Sequence, residues 1–293
     1  MKLFATVPVL CTTFLLGLTA CKSVSDYSVP LPTPFLTNAV QYELKQPSSV
    51  FGDSYAQQSG PFAISRVDIS WLSTTKHSLT PGGNALEKVV YELFSDEDPE
   101  VQHYKVRQKR EYQFHSSDGA QSIKVVCQLK NESLLQETVR PQQEKTAGVE
   151  QHNQHARELD RQQTRLSCVL QQADRQWQLT VTLTEQQQPI LTLQSGPDVY
   201  PLTAIHHGVE KVDNQWRQLP DFASNFQGLH ILNDGQMVAA MSFPGQTPKI
   251  WLSRNLAPTQ QHLLFAASYS LQLLNWLDQD WRPDQQQVSE QWQ

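Results

Sequence analysis

Histidines, cysteines, carboxylates and hydroxyls are the side chains that bind metals, shuttle protons or attack carbonyls, and this 293-residue chain places them sparsely. His206 and His207 are adjacent. On an extended strand neighbouring side chains point to opposite faces, so the two cannot share one ligand, and surface or satisfied-core roles are expected of both. His152 and His155, with Glu150, Glu158 and Asp160, form a weak set of transition-metal donors in a polar stretch, where affinity for added metal would carry no biological meaning. No metal site and no cofactor is therefore assigned. His206, His207 and His230 would become catalytic only if folding brought a nucleophile to one of them. The chain lacks Gly-x-Ser-x-Gly, His-Glu-x-x-His, a phosphate-binding glycine loop and an EF-hand pattern, and Ser117-Asp118-Gly119 reads as a turn. No catalytic residue is assigned, although a triad is assembled in space and not along the sequence.

An N-terminal leader ends at Cys21. Lys2 supplies a positive charge, Leu3 to Gly17 is almost wholly apolar, and Leu18-Thr19-Ala20-Cys21 follows. This order is that of a secretory signal. Leu3 to Ala20 barely reaches the roughly 17 residues needed to span a bilayer, and Pro8 interrupts it. Leu-Thr-Ala-Cys resembles the lipobox of bacterial lipoproteins. The resemblance implies a diacylglycerol thioether on Cys21, cleavage before it and a third acyl chain, such as palmitate, on the new amino terminus. A single chain anchors only marginally, at about 0.8 kcal/mol per buried methylene, whereas two or three anchor stably. Lys22 in place of Asp implies the outer-membrane-sorted class, held on the periplasmic face.

Four cysteines are present, of which Cys11 leaves with the leader and Cys21 is expected to be lipidated. Cys127 and Cys168 remain, an even pair in an oxidising compartment, each inside a strand-like run. A redox or metal pair would need Cys-x-x-Cys spacing or a His/Cys cluster. A structural disulfide between neighbouring or facing strands is expected instead.

Composition narrows the partners. The formal net charge is −6, and no basic patch of the kind that binds nucleic acid occurs. Glutamine makes up roughly one residue in eight, a solvating habit without specific chemistry. The expected partners are the membrane, through Cys21, and another envelope protein.

The elements that must position these residues follow from periodicity. Residues 1–20 are the signal, and 21–60, rich in Pro, Ser, Thr and Gln, read as a lipidated tether, with Phe35-Leu36 and Val50-Phe51 apolar enough to pack. Residues 61–278 read as one β-rich domain and 279–293 as a polar tail. Alternating runs predict strands at Phe62–Trp71, Tyr104–Phe114, Gln121–Leu129, Leu166–Gln171, Trp177–Thr184, Pro189–Gln194 and Val199–His206. Further strands are expected at Gly228–Leu232, Gln236–Phe243 and Lys249–Leu252, with hairpins at Asp118-Gly119 and Asn233-Asp234-Gly235. Residues 131–163 read as a mobile insertion with a short helix near 149–161, and 208–225 as a loop carrying Trp216 and Phe222. Helices are expected at Asn84–Phe94 and at Thr259–Leu277, the second capped by Thr259 and apolar around most of its circumference, hence buried. The fold class expected is α+β, mainly antiparallel β, barrel-like or strongly curved, around a buried hydrophobic C-terminal helix.

The hairpin Gly228–Phe243, the strand carrying Trp251 and the closing helix resemble the C-terminal part of tubby-like and LURP-one-related domains, which wrap a β-barrel around a terminal helix. This covers roughly 70 residues, contains no catalytic motif and implies architecture alone. The expected function is a non-catalytic, lipid-anchored binding or scaffolding module. The alternatives are a carrier of lipid or another apolar ligand, and a periplasmic hydrolase.

Overall fold

The computed structural model describes residues 26–46, 56–79, 101–138, 156–184, 187–212, 215–218, 227–245, 247–278 and 281. Cys21 with its leader, the helix expected over Asn84–Phe94, and His152 and His155 lie outside the described residues.

The chain runs β1 (Asp26–Ser28), α1 (Thr33–Asn38), β2 (Ala39–Glu43), β3 (Gln57–Ser59), β4 (Phe62–Ile69), β5 (Ser73–Ser78), β6 (Val101–Ser117), β7 (Ser122–Thr138), β8 (Ala156–Gln172) and β9 (Arg175–Thr184). It continues through β10 (Gln187–Ser195), β11 (Asp198–Ile205), β12 (Val209–Val212), β13 (Gln215–Gln218), β14 (Gly228–Asn233), β15 (Gln236–Ser242), β16 (Lys249–Ser253) and α2 (Pro258–Leu277). Alternation sets which side chains turn inward: on β9, Trp177, Leu179, Val181 and Leu183 are buried and the residues between them are not. On β4 the parity changes. Phe62 and Ile64 point inward, then Val67 and Ile69, because Arg66 at φ 53° forms a bulge that inserts one residue.

Thirteen strands form one antiparallel sheet in the order β2-β16-β15-β14-β11-β10-β9-β8-β7-β6-β4-β3, with β5 continuing the line of β4 beside β6. The two ends of this order come together, so the sheet curls into a nearly closed barrel. Ser59 Oγ donates to the Glu43 carbonyl at 2.7 Å across the seam. Gly60 is required there, since a Cβ would lie 2.5 Å from Tyr42 Cε1.

Helix α2 fills the barrel. Pro258 suits its first position, and the Gln260 side chain accepts from the Ala257 N–H at 3.2 Å. Ala257 therefore occupies the cap position and Thr259 does not. Leu263, Leu264, Phe265, Leu271, Leu273 and Leu274 are all at most 1% exposed. Each such side chain contributes about 1.5–3 kcal/mol on burial. Phe265 stacks on Phe62 at 4.4 Å, and Tyr269 meets Phe114 edge-on at 4.9 Å. No helix among the described residues is long and apolar enough to cross a membrane.

Four expectations are corrected. Residues 26–46 and 56–60 are not a free tether: β1, α1, β2 and β3 are built from them, Leu44 is wholly buried, and Phe35 and Val29 cover Trp251 on the outside of the barrel. Pro32 and Pro34 fit the start of α1, and the neighbouring Val29, Leu31 and Phe35 join the apolar cluster that includes Trp251. Residues 131–138 and 156–163 are not loop, and 156–161 are not helical. They extend β7 and β8, paired from Ile123↔Gln172 to Thr138↔Ala156. The stretch 208–225 contains β12 and β13, which with β1 form a separate three-stranded sheet. In the tail, Trp281 is 1% exposed and meets Phe243 edge-on at 5.5 Å.

Candidate functional site

Neighbouring registers on β7 and β8 place Cys127 directly opposite Cys168, with Cα atoms 4.0 Å apart and the sulfurs bonded. Both point into the core and are fully buried. The disulfide joins the two strands whose connection spans residues 139–155, and it faces α2, not solvent.

His206 and His207 follow β11 on the surface, and His207 Nδ1 lies 3.5 Å from Gln218 Nε2. Burial, then the neighbouring His207, holds the His206 imidazole below the usual histidine range. His230 sits on the outer side of β14, its pKa lowered by partial burial, and its Nε2 has no hydrogen-bond partner among the described residues. Asp160 is exposed on β8. Among the described residues no group of three His, Cys, Asp or Glu could hold a metal ion.

The structure instead assembles a histidine, a serine and an aspartate that sequence reasoning did not connect. His262 lies one turn into α2, Ser116 at the end of β6, and Asp118 in the turn between β6 and β7. Ser116 Oγ is 3.0 Å from His262 Nε2, and Asp118 Oδ2 is 3.4 Å from His262 Nδ1. Two backbone amides, Gln121 N–H at 2.7 Å and Ala120 N–H at 3.0 Å, donate to Asp118 Oδ1. Burial pushes the Asp118 carboxyl up, but those amides and His262 outweigh it and hold the pKa below the usual range. An ionised carboxylate only accepts hydrogen bonds. Among the described residues Asp118 faces Nδ1 at contact distance without a hydrogen bond, and whether Ser116 Oγ donates to Nε2 or accepts from it depends on the tautomer. Burial lowers the His262 pKa, against the opposing influence of Asp118 and Ser116, so the imidazole is neutral at neutral pH.

This connectivity is that of a nucleophile, its base and the group that orients the base. Its surroundings do not suit acyl transfer. Ser116 and His262 are 0% exposed, and the Phe62 ring stacks on the imidazole at 5.6 Å. A substrate carbonyl would have to sit about 3 Å from Oγ, inside the filled barrel. What the cluster does is tie the β6–β7 turn to α2. The signal missing from the sequence is distance along the chain: Ser116 and His262 are 146 residues apart.

Polar contacts seal both ends of the helix. At its start Gln172 Nε2 donates to the Thr259 carbonyl at 2.8 Å, and Gln260 Nε2 to Tyr200 Oη at 3.3 Å. At its end Arg161 Nη1 donates to both Asp278 carboxylate oxygens at 2.9 and 2.8 Å, and Asn131 Nδ2 to Oδ2 at 2.8 Å. Outside the barrel the small sheet β1–β12–β13 is pinned by Lys249 of β16. This 4%-exposed lysine pairs with Asp26, its Nζ 5.8 Å from the centre of the Trp216 ring. Trp216 is 50% exposed, and Gln215, Arg217 and Gln218 beside it are exposed.

The chain matches no protein-family model, no curated protein and no solved structure.

Proposed function

We propose that this is a lipid-anchored protein of the bacterial cell envelope, held by acyl chains on Cys21 on the periplasmic face of the outer membrane. There it acts as a non-catalytic binding or scaffolding module for another envelope protein. The Leu18-Thr19-Ala20-Cys21 motif supports the anchor. The observation that carries the mode of action is that α2 fills the barrel, with Leu264, Phe265, Leu271 and Leu274 wholly buried against its wall. A carrier needs a concave apolar space for its cargo, and here the chain's own helix takes that space. A hydrolase needs an approachable nucleophile, and Ser116 is enclosed. Recognition is left to the outside, where Trp71 (81% exposed), Leu72 and Leu79 flank the fully exposed strand β5. Among the described residues β5 pairs only with β6, and a sheet edge with apolar anchors on either side suits strand addition by a partner.

A photo-reactive amino acid at Leu79, in cells carrying the full chain, is expected to crosslink one discrete envelope protein. Leu79 crosslinks that are absent, or spread over many unrelated proteins, would refute the module reading. Native mass spectrometry of the detergent-extracted protein would support the carrier alternative if an apolar molecule stayed bound to the folded domain.

A further inference from the structure

We infer that the small sheet β1–β12–β13 rests on the bilayer that holds the Cys21 anchor, with Trp216 at the water–lipid interface. This inference builds on the lipid anchor proposed above. The first strand begins at Asp26, so five residue steps separate it from Cys21. At roughly 3.3–3.6 Å per residue they reach no more than about 18 Å. A barrel fixed that closely cannot sit at a distance from the membrane, and the element through which the chain leaves it must face the lipid.

The register identifies what else is at that exit. Asp26 pairs with Lys211, and Lys211 with Trp216, in one row across the sheet. With strands roughly 4.8 Å apart, the Trp216 backbone lies about 10 Å from Asp26, inside the reach of the anchor. Trp216 is half exposed. Tryptophan, with an apolar body and one N–H, is the residue favoured where hydrocarbon meets headgroups. Among the described residues beside it, Asp26 is paired with Lys249, and Glu210 lies directly opposite Arg217 in the strand register. Gln215, Arg217 and Gln218 are exposed around it and suit a headgroup layer. The acyl chains supply the affinity; the sheet fixes which way the barrel faces.

The test uses the cysteine inventory. With Cys11 removed in the leader, Cys21 acylated and Cys127–Cys168 bonded and buried, an introduced cysteine is the only free thiol. Gln218→Cys, on the same face of β13 as Trp216, and, as a remote control, Thr75→Cys on β5 are each labelled with an environment-sensitive fluorophore. The lipidated protein is then reconstituted into phosphatidylethanolamine–phosphatidylglycerol vesicles containing doxyl-labelled phosphatidylcholine. The Gln218→Cys label should shift to the blue and lose most of its emission to the doxyl quencher, while the Thr75→Cys label keeps its emission. Inserting about 20 Gly/Ser residues after Ser23, roughly 70 Å of reach, should abolish the quenching. If Cys21 carries acyl chains by mass spectrometry and the two labels are quenched equally, or the insertion changes nothing, the orientation is wrong while the anchor stands. If Cys21 is unmodified, the anchor fails and this inference falls with it.

Discussion

Single buried polar groups decide this molecule's response to pH and to substitution. His262 is neutral in the folded barrel because burial lowers its pKa from the ordinary 6.5. The unfolded chain takes up a proton near pH 6.5 that the fold refuses, so the stability linked to this group is present above that pH and is lost as pH falls further. His262→Gln keeps a hydrogen-bonding partner for Ser116 but cannot titrate. Its urea midpoint should therefore fall less than that of the parent protein between neutral pH and about pH 5. Parallel curves for the two proteins would show that the cluster does not titrate as described. Gln272 offers the opposite case. It is 0% exposed, and neither its amide nitrogen nor its oxygen has a hydrogen-bond partner among the described residues. An unsatisfied buried group costs about 1–3 kcal/mol, so Gln272→Met should raise the unfolding free energy by about that amount. The contrasting change is Tyr112→Phe, which removes a 2.9 Å bond from Tyr112 Oη to the Ser270 carbonyl and should cost about 1 kcal/mol. Denaturant titration reads both, and a loss of stability in Gln272→Met would mean that the amide is satisfied in solution.

At the scale of elements, legibility followed the contrast between the two faces. Strands such as β9 alternate sharply, and α2 is apolar nearly all round, because each has a core on one or every side. The Cys127–Cys168 pair was legible for the same reason, since two strand-like runs with one cysteine each suit a shared sheet. The outer parts of β7 and β8 were not. Glu132-Ser133-Leu134-Leu135-Gln136-Glu137 shows no period-2 pattern, and there the ladder of backbone hydrogen bonds to β6 and β8, not side-chain contrast, sustains the strand. The Ser116–Asp118–His262 cluster was illegible because only the barrel's closure around α2 brings its members together. Polar strands of this kind are not dispensable. Arg161, which falls in the stretch read from sequence as an insertion, binds Asp278 at the end of α2 with both groups mostly buried. Charge-assisted bonds of this type contribute about 1.5–3 kcal/mol, so Arg161→Ala should destabilise the domain by about 2 kcal/mol. Hydrogen exchange should then speed up first at the amides of Asn275–Asp278. An unchanged melting temperature would mean that the pair is a solvent-screened surface contact.

For the whole molecule, the decisive question is where the domain begins. The proline-rich composition of residues 21–60 suggests that cutting after Gln46 would remove a spacer and leave the barrel intact. The structure leads to the opposite expectation. Strand β2 pairs with β16 from Glu43↔Lys249 to Ala39↔Ser253, and without it β16 becomes an exposed edge of a hydrophobic sheet, a template for aggregation. Tyr42 would leave the cluster that includes Phe62 and Phe265, at ring distances of 5.2 and 6.1 Å, and the fully buried Leu44 would go with it. On the outer surface, Trp251 would lose the cover of Val29 and Phe35, and Lys249, 4% exposed, would keep its charge without Asp26. A buried cation stripped of its partner costs about 3–5 kcal/mol by itself, and loss of two or three large apolar side chains from the core costs several more. Typical domains have only about 5–15 kcal/mol in total. A chain starting at residue 47 should therefore fail to fold or should aggregate, whereas one starting at Lys22, lacking only leader and anchor, should be soluble and melt cooperatively. Equal melting temperatures for the two would restore the spacer reading, and would also free the barrel from the close approach to the membrane that the short Cys21–Asp26 link imposes.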